Sequence, residues 1–144
     1  MSSPLRTLKT AAKRIPGVLK TWRTIRMHRF ERTWRAEDEA DRRHPLGVLP
    51  WPPSRLRYRV HGASDRASFA AVGQRCVDAI TTLLAEHGHP LASAKRVLDF
   101  GCGCGRVARF LPSGIGALVG SDIDAEAIAW NRHHLSELGT FDVN

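Results

Sequence analysis

The feature that most constrains the fold is an apolar run, Val97-Leu98-Asp99-Phe100, followed at once by Gly101-Cys102-Gly103-Cys104-Gly105. Glycine lets a backbone approach a ligand closely, and the free amides of a following helix start attract polar or anionic groups. A second apolar stretch, 117–121, ends on Asp122, where an acid can accept hydrogen bonds from a ribose. Strand, glycine loop, helix, strand and acid together predict half of a nucleoside-binding site.

The residues leave the identity of the nucleoside open. Gly103, Gly105 and Ala108 match the dinucleotide pattern G-x-G-x-x-A in a shifted register, which allows an NAD(P)-binding Rossmann protein. A carboxylate at Asp99 would repel a pyrophosphate, whereas it suits a ligand with an amino group and a sulfonium, such as S-adenosylmethionine (SAM). A turn without any ligand is the least favoured interpretation, because three alternating glycines cost conformational entropy.

The run from Leu98 to Gly105 resembles motif I of the class I SAM-dependent methyltransferases of the bacterial methyltransferase-domain type. The segment 120–124, Gly-Ser-Asp-Ile-Asp, resembles the acidic end of their second strand, and the lead-in 58–62 resembles the segment before motif I. The resemblance therefore covers 58–144. It implies an α/β fold with a Rossmann-like doubly wound sheet, SAM as cofactor, and methyl transfer to an acceptor that the sequence does not identify.

Carried over by position, the resemblance implies six cofactor-binding residues: Asp99, Gly101, Gly103, Gly105, Asp122 and Ile123. Asp99 would lie near the methionine amino group, and the glycines would line the methionine and the ribose. Asp122 would bind the ribose hydroxyls, and Ile123 would contact the adenine. Asp124 is predicted to cap the next helix rather than to touch the ligand. No catalytic base and no metal ligand is identified.

Three strands are expected, at 96–100, at 117–121 and beginning near Phe141. The family resembled continues with about four more strands in its doubly wound sheet. We therefore expect a sheet truncated after about strand three, with an unpaired edge on the first strand. This favours, as a second hypothesis, a truncated non-catalytic SAM-binding fragment, or a half-domain that needs a partner.

Basic charge is concentrated in the first part of the chain. Residues 1–59 hold fifteen Lys and Arg against five Asp and Glu, and residues 60–144 hold seven against nine, so the net charge of +8 originates in the first part. We expect a basic helical extension over 1–44, interrupted at Pro16-Gly17 into two short helices. Residues 1–35 would pack on their own domain or contact an anionic membrane surface or a protein partner; a transit peptide is a further alternative, and nucleic acid is less favoured.

A proline-rich linker or strap over 45–62 separates this extension from the N-terminal half of a SAM-binding domain over 63–144. Four prolines between residues 45 and 53 favour an extended segment, with Trp51 anchoring it on the domain rather than covering the pocket.

A helix is expected from Ser64 to His87, capped by Ser64 or Asp65 and ending before Gly88. Its apolar stripe is predicted to be buried: Phe69, Val72, Cys76, Val77, Ile80, Leu83 and Leu84.

Three cysteines, Cys76, Cys102 and Cys104, do not form a disulfide framework or a zinc-binding spacing. Cys102 and Cys104 are interpreted as small residues tolerated in a tight loop. With no apolar run long enough to cross a membrane, a cytoplasmic protein is expected.

Overall fold

The computed structural model describes the backbone of residues 18–43 and 47–144, with side chains from residue 30 onward in these ranges. Two short 3-10 turns lie at Leu91–Ser93 and Ala108–Phe110. The helices and strands, in chain order, are α1 (Val18–Arg43), α2 (Ser54–His61), α3 (Arg66–Glu86), β1 (Arg96–Phe100), β2 (Ala117–Asp122), α4 (Ala125–His134) and β3 (Thr140–Val143).

The chain divides into two compact units, 1–36 and 37–144. In the first unit, the described residues belong to α1, a helix of 26 residues that continues into the second unit and is longer than the short helix predicted after Pro16-Gly17. Phe30 stacks on Trp34 with 5.7 Å between ring centroids. The predicted helix before Pro16 lies outside the described residues. No described helix is long and apolar enough to cross a membrane.

The second unit contains a parallel sheet with the strand order β1-β2-β3. Leu98 pairs with Val119 and Gly120 pairs with Phe141, so all three strands end at the same edge of the sheet. The predicted strand bounds are correct to within one residue. Parallel neighbours joined by crossovers are typical of the Rossmann-like α/β class, which confirms the predicted fold class.

The helix predicted after the glycine loop is absent, and this prediction was wrong. Only the 3-10 turn Ala108–Phe110 lies between the loop and β2. Six residues separate Gly105 from Pro112. The residue before a proline is driven out of the α region, and Leu111 is accordingly extended, with φ −62° and ψ 144°. Too few residues remain to form a stable α-helix.

Alternate residues of the strands lie on two faces that differ in burial. On the covered face, Leu118 and Phe141 form a buried cluster with Ile128 and Leu135 of the segment that includes α4. On the open face, apolar residues remain exposed within the described part of the chain. The exposed fractions are 64% for Leu98, 73% for Phe100 and 40% for Val119. Within the described part of the chain, the sheet is therefore packed on one face.

Helix α3 packs against the 3-10 turns. A Cβ on Gly73 would lie 2.3 Å from the carbonyl oxygen of Arg106, so glycine permits this close approach. The prediction of a buried stripe is correct for Phe69 and Val77, and wrong for Ile80 and Leu83, which are 40% and 57% exposed.

The wrong part of that prediction lies in the second half of α3, which contains both exposed residues. The remaining predicted members are half-buried: Val72, Cys76 and Leu84. Asp65 caps the helix by accepting from the Ser68 amide at 2.7 Å. Gly88, with φ 75°, follows its end as predicted.

The proline-rich strap is anchored through Trp51, as predicted. Its ring meets Phe69 edge-on at 6.5 Å between centroids, and the guanidinium of Arg109 lies 4.3 Å from its centroid. The second half of the predicted linker is instead helix α2. Pro52 and Pro53 precede this helix, where a fixed φ and a missing amide proton are tolerated, so the prolines do not interrupt it.

Candidate functional site

The glycine loop lies at the ends of β1 and β2 where a nucleoside site was predicted. Gly101, Gly103 and Gly105 adopt φ values of 78°, 52° and 75°, in the left-handed region that side chains disfavour. The amides of Gly101 and Cys102 both donate to the Ser121 carbonyl oxygen, at 2.7 and 3.1 Å. The loop is thus fixed to the end of the neighbouring strand.

The three glycines differ in what surrounds them. A Cβ on Gly101 would meet nothing within 4 Å, so this position faces open space. A Cβ on Gly103 would lie 2.5 Å from Val60 of α2, and one on Gly105 would lie 2.4 Å from Leu135. Gly103 and Gly105 therefore allow close packing of the loop on neighbouring segments, and Gly105 is directed toward the core rather than toward a ligand.

Asp122, predicted to bind ribose, holds the loop in shape. Its Oδ2 accepts from the Gly103 amide at 2.7 Å, and its Oδ1 accepts from the Asp124 amide at 2.8 Å. A carboxylate has about four acceptor positions, so both oxygens retain capacity for a hydroxyl. The same side chain can orient the loop and bind a ligand.

Asn131 on α4 is a loop-holding residue that the sequence analysis missed. Its side chain is fully buried, and its Nδ2 donates to the Gly103 carbonyl oxygen at 2.8 Å. The available signal was a polar residue in the apolar stripe of α4, between Ile128 and Leu135. Buried amides require hydrogen-bond partners, so such a residue indicates a backbone contact.

A pocket of about 260 Å³ adjoins the loop, a little below the usual range for small-molecule sites. Its lining residues come from α2, the loop and the end of β2: Arg59, Val60, Gly101, Gly103, Arg106, Asp122 and Asp124. Three of the six predicted cofactor-binding residues lie in this lining. Gly105 and Asp99 do not, and Ile123, which is 81% exposed, stands outside it.

Asp99 is half-buried in β1, and its Oδ2 is buried without a hydrogen-bond partner among the described residues. Burial raises the pKa of this carboxyl, the nearby charge of Asp122 raises it further, and the positive charge of Arg106 opposes the rise. A buried acceptor without a partner is costly to the fold, so this acid is a candidate for binding a cationic ligand group.

Two arginines of the pocket were also missed. Arg59 pairs with Asp124 at 3.1 Å and with Glu126 at 2.9 Å. Arg106 directs its Nη1 to His61 Nδ1 at 3.2 Å, and its Nε is buried without a partner among the described residues. The position of Arg106 directly after Gly105 was the available signal.

Asp124 caps α4 as predicted, because its Oδ1 accepts from the amides of Glu126 and Ala127 at 3.1 and 3.2 Å. Its second oxygen binds Arg59 and faces the pocket. Burial raises the pKa of the Cys102 and Cys104 thiols to about 12, so both are neutral, small side chains filling the loop.

Comparison with known proteins identifies the family of this chain. The model of the family described as "Methyltransferase small domain" matches residues 66–141, which is more than half of the chain. No curated protein matches the chain.

Two solved structures are similar at 24% sequence identity. Magnesium protoporphyrin IX methyltransferase (ChlM) from Synechocystis, with bound SAH, has a TM-score of 0.44; the similarity covers 61% of this chain and 44% of that one. A TehB-like SAM-dependent methyltransferase from Corynebacterium glutamicum has a TM-score of 0.29, with coverages of 56% and 46%. The chain thus spans less than half the length of both structures.

Proposed function

Because the chain belongs to the methyltransferase small domain family, we propose that it binds S-adenosylmethionine at the glycine loop and transfers its methyl group to an acceptor still to be identified. The observation that carries this proposal is the loop itself. Its three glycines are left-handed, and its backbone is tied to Ser121 and Asp122 at the end of the next strand. Two of these glycines, Gly101 and Gly103, line the pocket.

The residues present fit this ligand. Asp99 offers an unpartnered carboxylate oxygen suited to an ammonium group, and Asp122 keeps acceptor capacity for ribose hydroxyls. Open space at Gly101 leaves the loop backbone accessible. The sulfonium of SAM supplies an electrophilic methyl group, and the contribution of these residues is to orient the donor for in-line attack.

Two features disfavour the alternative of a nicotinamide dinucleotide. A pyrophosphate is normally bound by the amides and dipole of a helix N-terminus directly after the loop. Here a 3-10 turn of three residues takes that place, and it has no comparable dipole. The acidic groups Asp99 and Asp122 near the loop would also repel a pyrophosphate.

Calorimetry of the purified chain with SAM, S-adenosylhomocysteine (SAH) and NAD tests the proposal. We expect binding of SAM and SAH and none of NAD. Asp99→Ala should abolish SAM binding, whereas Asp78→Ala, at an exposed acid of α3, should leave it intact. Binding of NAD that survives Asp99→Ala would instead favour the dinucleotide hypothesis.

Catalysis is tested separately from binding, because the second hypothesis is a SAM-binding fragment or half-domain that needs a partner chain. Transfer of a labelled methyl group from SAM to components of a cell extract, dependent on Asp99, would support an enzyme. Tight SAM binding without transfer would favour the fragment.

The proposal includes a cytoplasmic location, with residues 1–35 contacting an anionic membrane surface or a protein partner. The excess of basic residues in 1–59 supports contact with an anionic surface. Co-sedimentation of the full chain with phosphatidylserine vesicles, but not with phosphatidylcholine vesicles, would support the membrane contact. Equal sedimentation with both would contradict an electrostatic contact.

A further inference from the structure

Among the charged side chains that line the pocket, Arg106 has a distinct environment. Arg59 is paired with Asp124 and Glu126, and Asp122 accepts two backbone amides. Arg106 has no carboxylate within ion-pair distance among the described residues, and its Nε is buried without a partner. Its guanidinium therefore retains donors for an anionic group of a ligand.

His61 fixes the position of that guanidinium. Since arginine only donates hydrogen bonds, His61 Nδ1 must accept from Arg106 Nη1, and the ring proton then lies on Nε2. Nε2 donates to Ser68 Oγ at 3.0 Å, and this hydroxyl donates to Asp65 Oδ2 at 2.5 Å. The imidazole also meets Phe69 edge-on at 6.3 Å between centroids. A chain of contacts thus connects the start of α3 to the pocket.

We infer that Arg106, positioned by His61, binds the carboxylate of the amino-acid end of the ligand. This inference rests on the proposed function, because SAM carries an ammonium and a carboxylate on the same carbon. Asp99 Oδ2 and Arg106 Nε are buried, unpartnered and opposite in charge. A zwitterionic amino-acid group satisfies both, and a planar guanidinium suits a carboxylate in bidentate geometry.

The experiment compares two adenosine thioethers that differ in this group. SAH carries the amino-acid end, and 5′-methylthioadenosine lacks it. For the full chain with Arg106→Gln, the Kd of SAH should rise on the order of tenfold to a hundredfold, while the Kd of methylthioadenosine stays unchanged. Arg75→Gln, at an exposed arginine of α3, is the matched control and should change neither Kd.

The positioning role of His61 has its own pair of variants. His61→Phe removes the acceptor for Arg106 and should weaken SAH selectively, by on the order of threefold to tenfold. His61→Asn keeps an acceptor oxygen near the place of Nδ1 and should restore the affinity for SAH. A structural role alone would not distinguish the two ligands.

The outcomes separate this inference from the proposed function. A wild-type chain that binds neither ligand overturns the proposed function and this inference with it. If the wild type binds both, but Arg106→Gln weakens both equally or neither, the inference alone is overturned. If circular dichroism shows that Arg106→Gln does not fold, Arg106→Lys takes its place. Lysine keeps the positive charge but lacks the planar guanidinium with its paired donors. This variant should weaken SAH selectively; an unchanged ratio of the two Kd values would then overturn the inference.

Discussion

The covered and open faces of the sheet are made by the same three strands and differ in what lies against them. Leu118 and Phe141 on the covered face are buried against Ile128 and Leu135, whereas Leu98 and Phe100 on the open face are largely exposed among the described residues. Asp99, directed to the covered face by the alternation of the strand, is half-buried between two exposed neighbours. The difference shows that alternation assigns residues to a face, but packing decides which face becomes the core.

The glycine loop depends on the covered face. Asn131 of α4 holds the Gly103 carbonyl group, and Leu135 occupies the space beside Gly105. Substitutions on the covered side should therefore affect both stability and ligand binding. Substitutions on the open side should affect neither.

The largest difference between the faces is expected from truncating an apolar side chain on each. Ile128→Ala should lower the free energy of unfolding by about 2–5 kcal/mol, because it leaves a cavity in the buried cluster. Leu98→Ala, at a side chain that is 64% exposed, should cost less than about 0.5 kcal/mol. Urea unfolding measures both. Similar costs for the two variants would mean that the open face is covered in solution.

Two loop glycines with nearly equal φ values sharpen the comparison. Gly105→Ala and Gly101→Ala share the strain of a left-handed alanine, about 1–2 kcal/mol. Only Gly105→Ala also places a methyl group against Leu135, which should add about 1–3 kcal/mol. Thermal unfolding of the two variants isolates the packing contribution. Equal shifts in Tm would show that strain alone selects glycine at these positions.

The buried amide of α4 should have an intermediate effect. Asn131→Ala leaves the Gly103 carbonyl oxygen without its donor and should cost about 1–3 kcal/mol, with weaker SAH binding. Gln74→Ala is the matched control, since the exposed amide of Gln74 donates to Asp78 one helical turn away. Calorimetric SAH titrations and urea curves check both. A loss of affinity in the control would rule out a specific role for Asn131.

The smallest expected effect is the pH dependence of Asp99. The pKa of this carboxyl is higher in the folded state than in the unfolded state. Between these two pKa values the native state binds more protons than the unfolded state, so the free energy of unfolding falls as the pH rises through this window. Asp99→Asn should therefore be more stable than the wild type at pH 7, and this advantage should shrink at acidic pH. Unfolding curves at several pH values test this. A variant less stable than the wild type at pH 7 would contradict a desolvated carboxylate.

Much of this arrangement was predictable from local pattern. The strand bounds, the place of the glycine loop, a cap at Ser64 or Asp65, the Asp124 cap and the anchoring of Trp51 were predicted. The strands and caps depend on residues close in sequence. The predicted helix after the loop was wrong because Pro112 leaves too little chain for it. Helix α2 was missed because prolines are typical both of extended linkers and of the first residues of a helix, and the sequence analysis predicted a linker.

The sequence by itself determined the class of the fold and the place of the loop, since strand periodicity and glycine conformation are properties of the chain at short range. Tertiary structure alone decided that Gly105 faces Leu135, that Asn131 holds the loop, and that Arg106 meets His61. Each of these contacts joins residues between 28 and 45 positions apart in the sequence. Their partners depend on the packing of α2, α3 and α4, which no short-range pattern encodes.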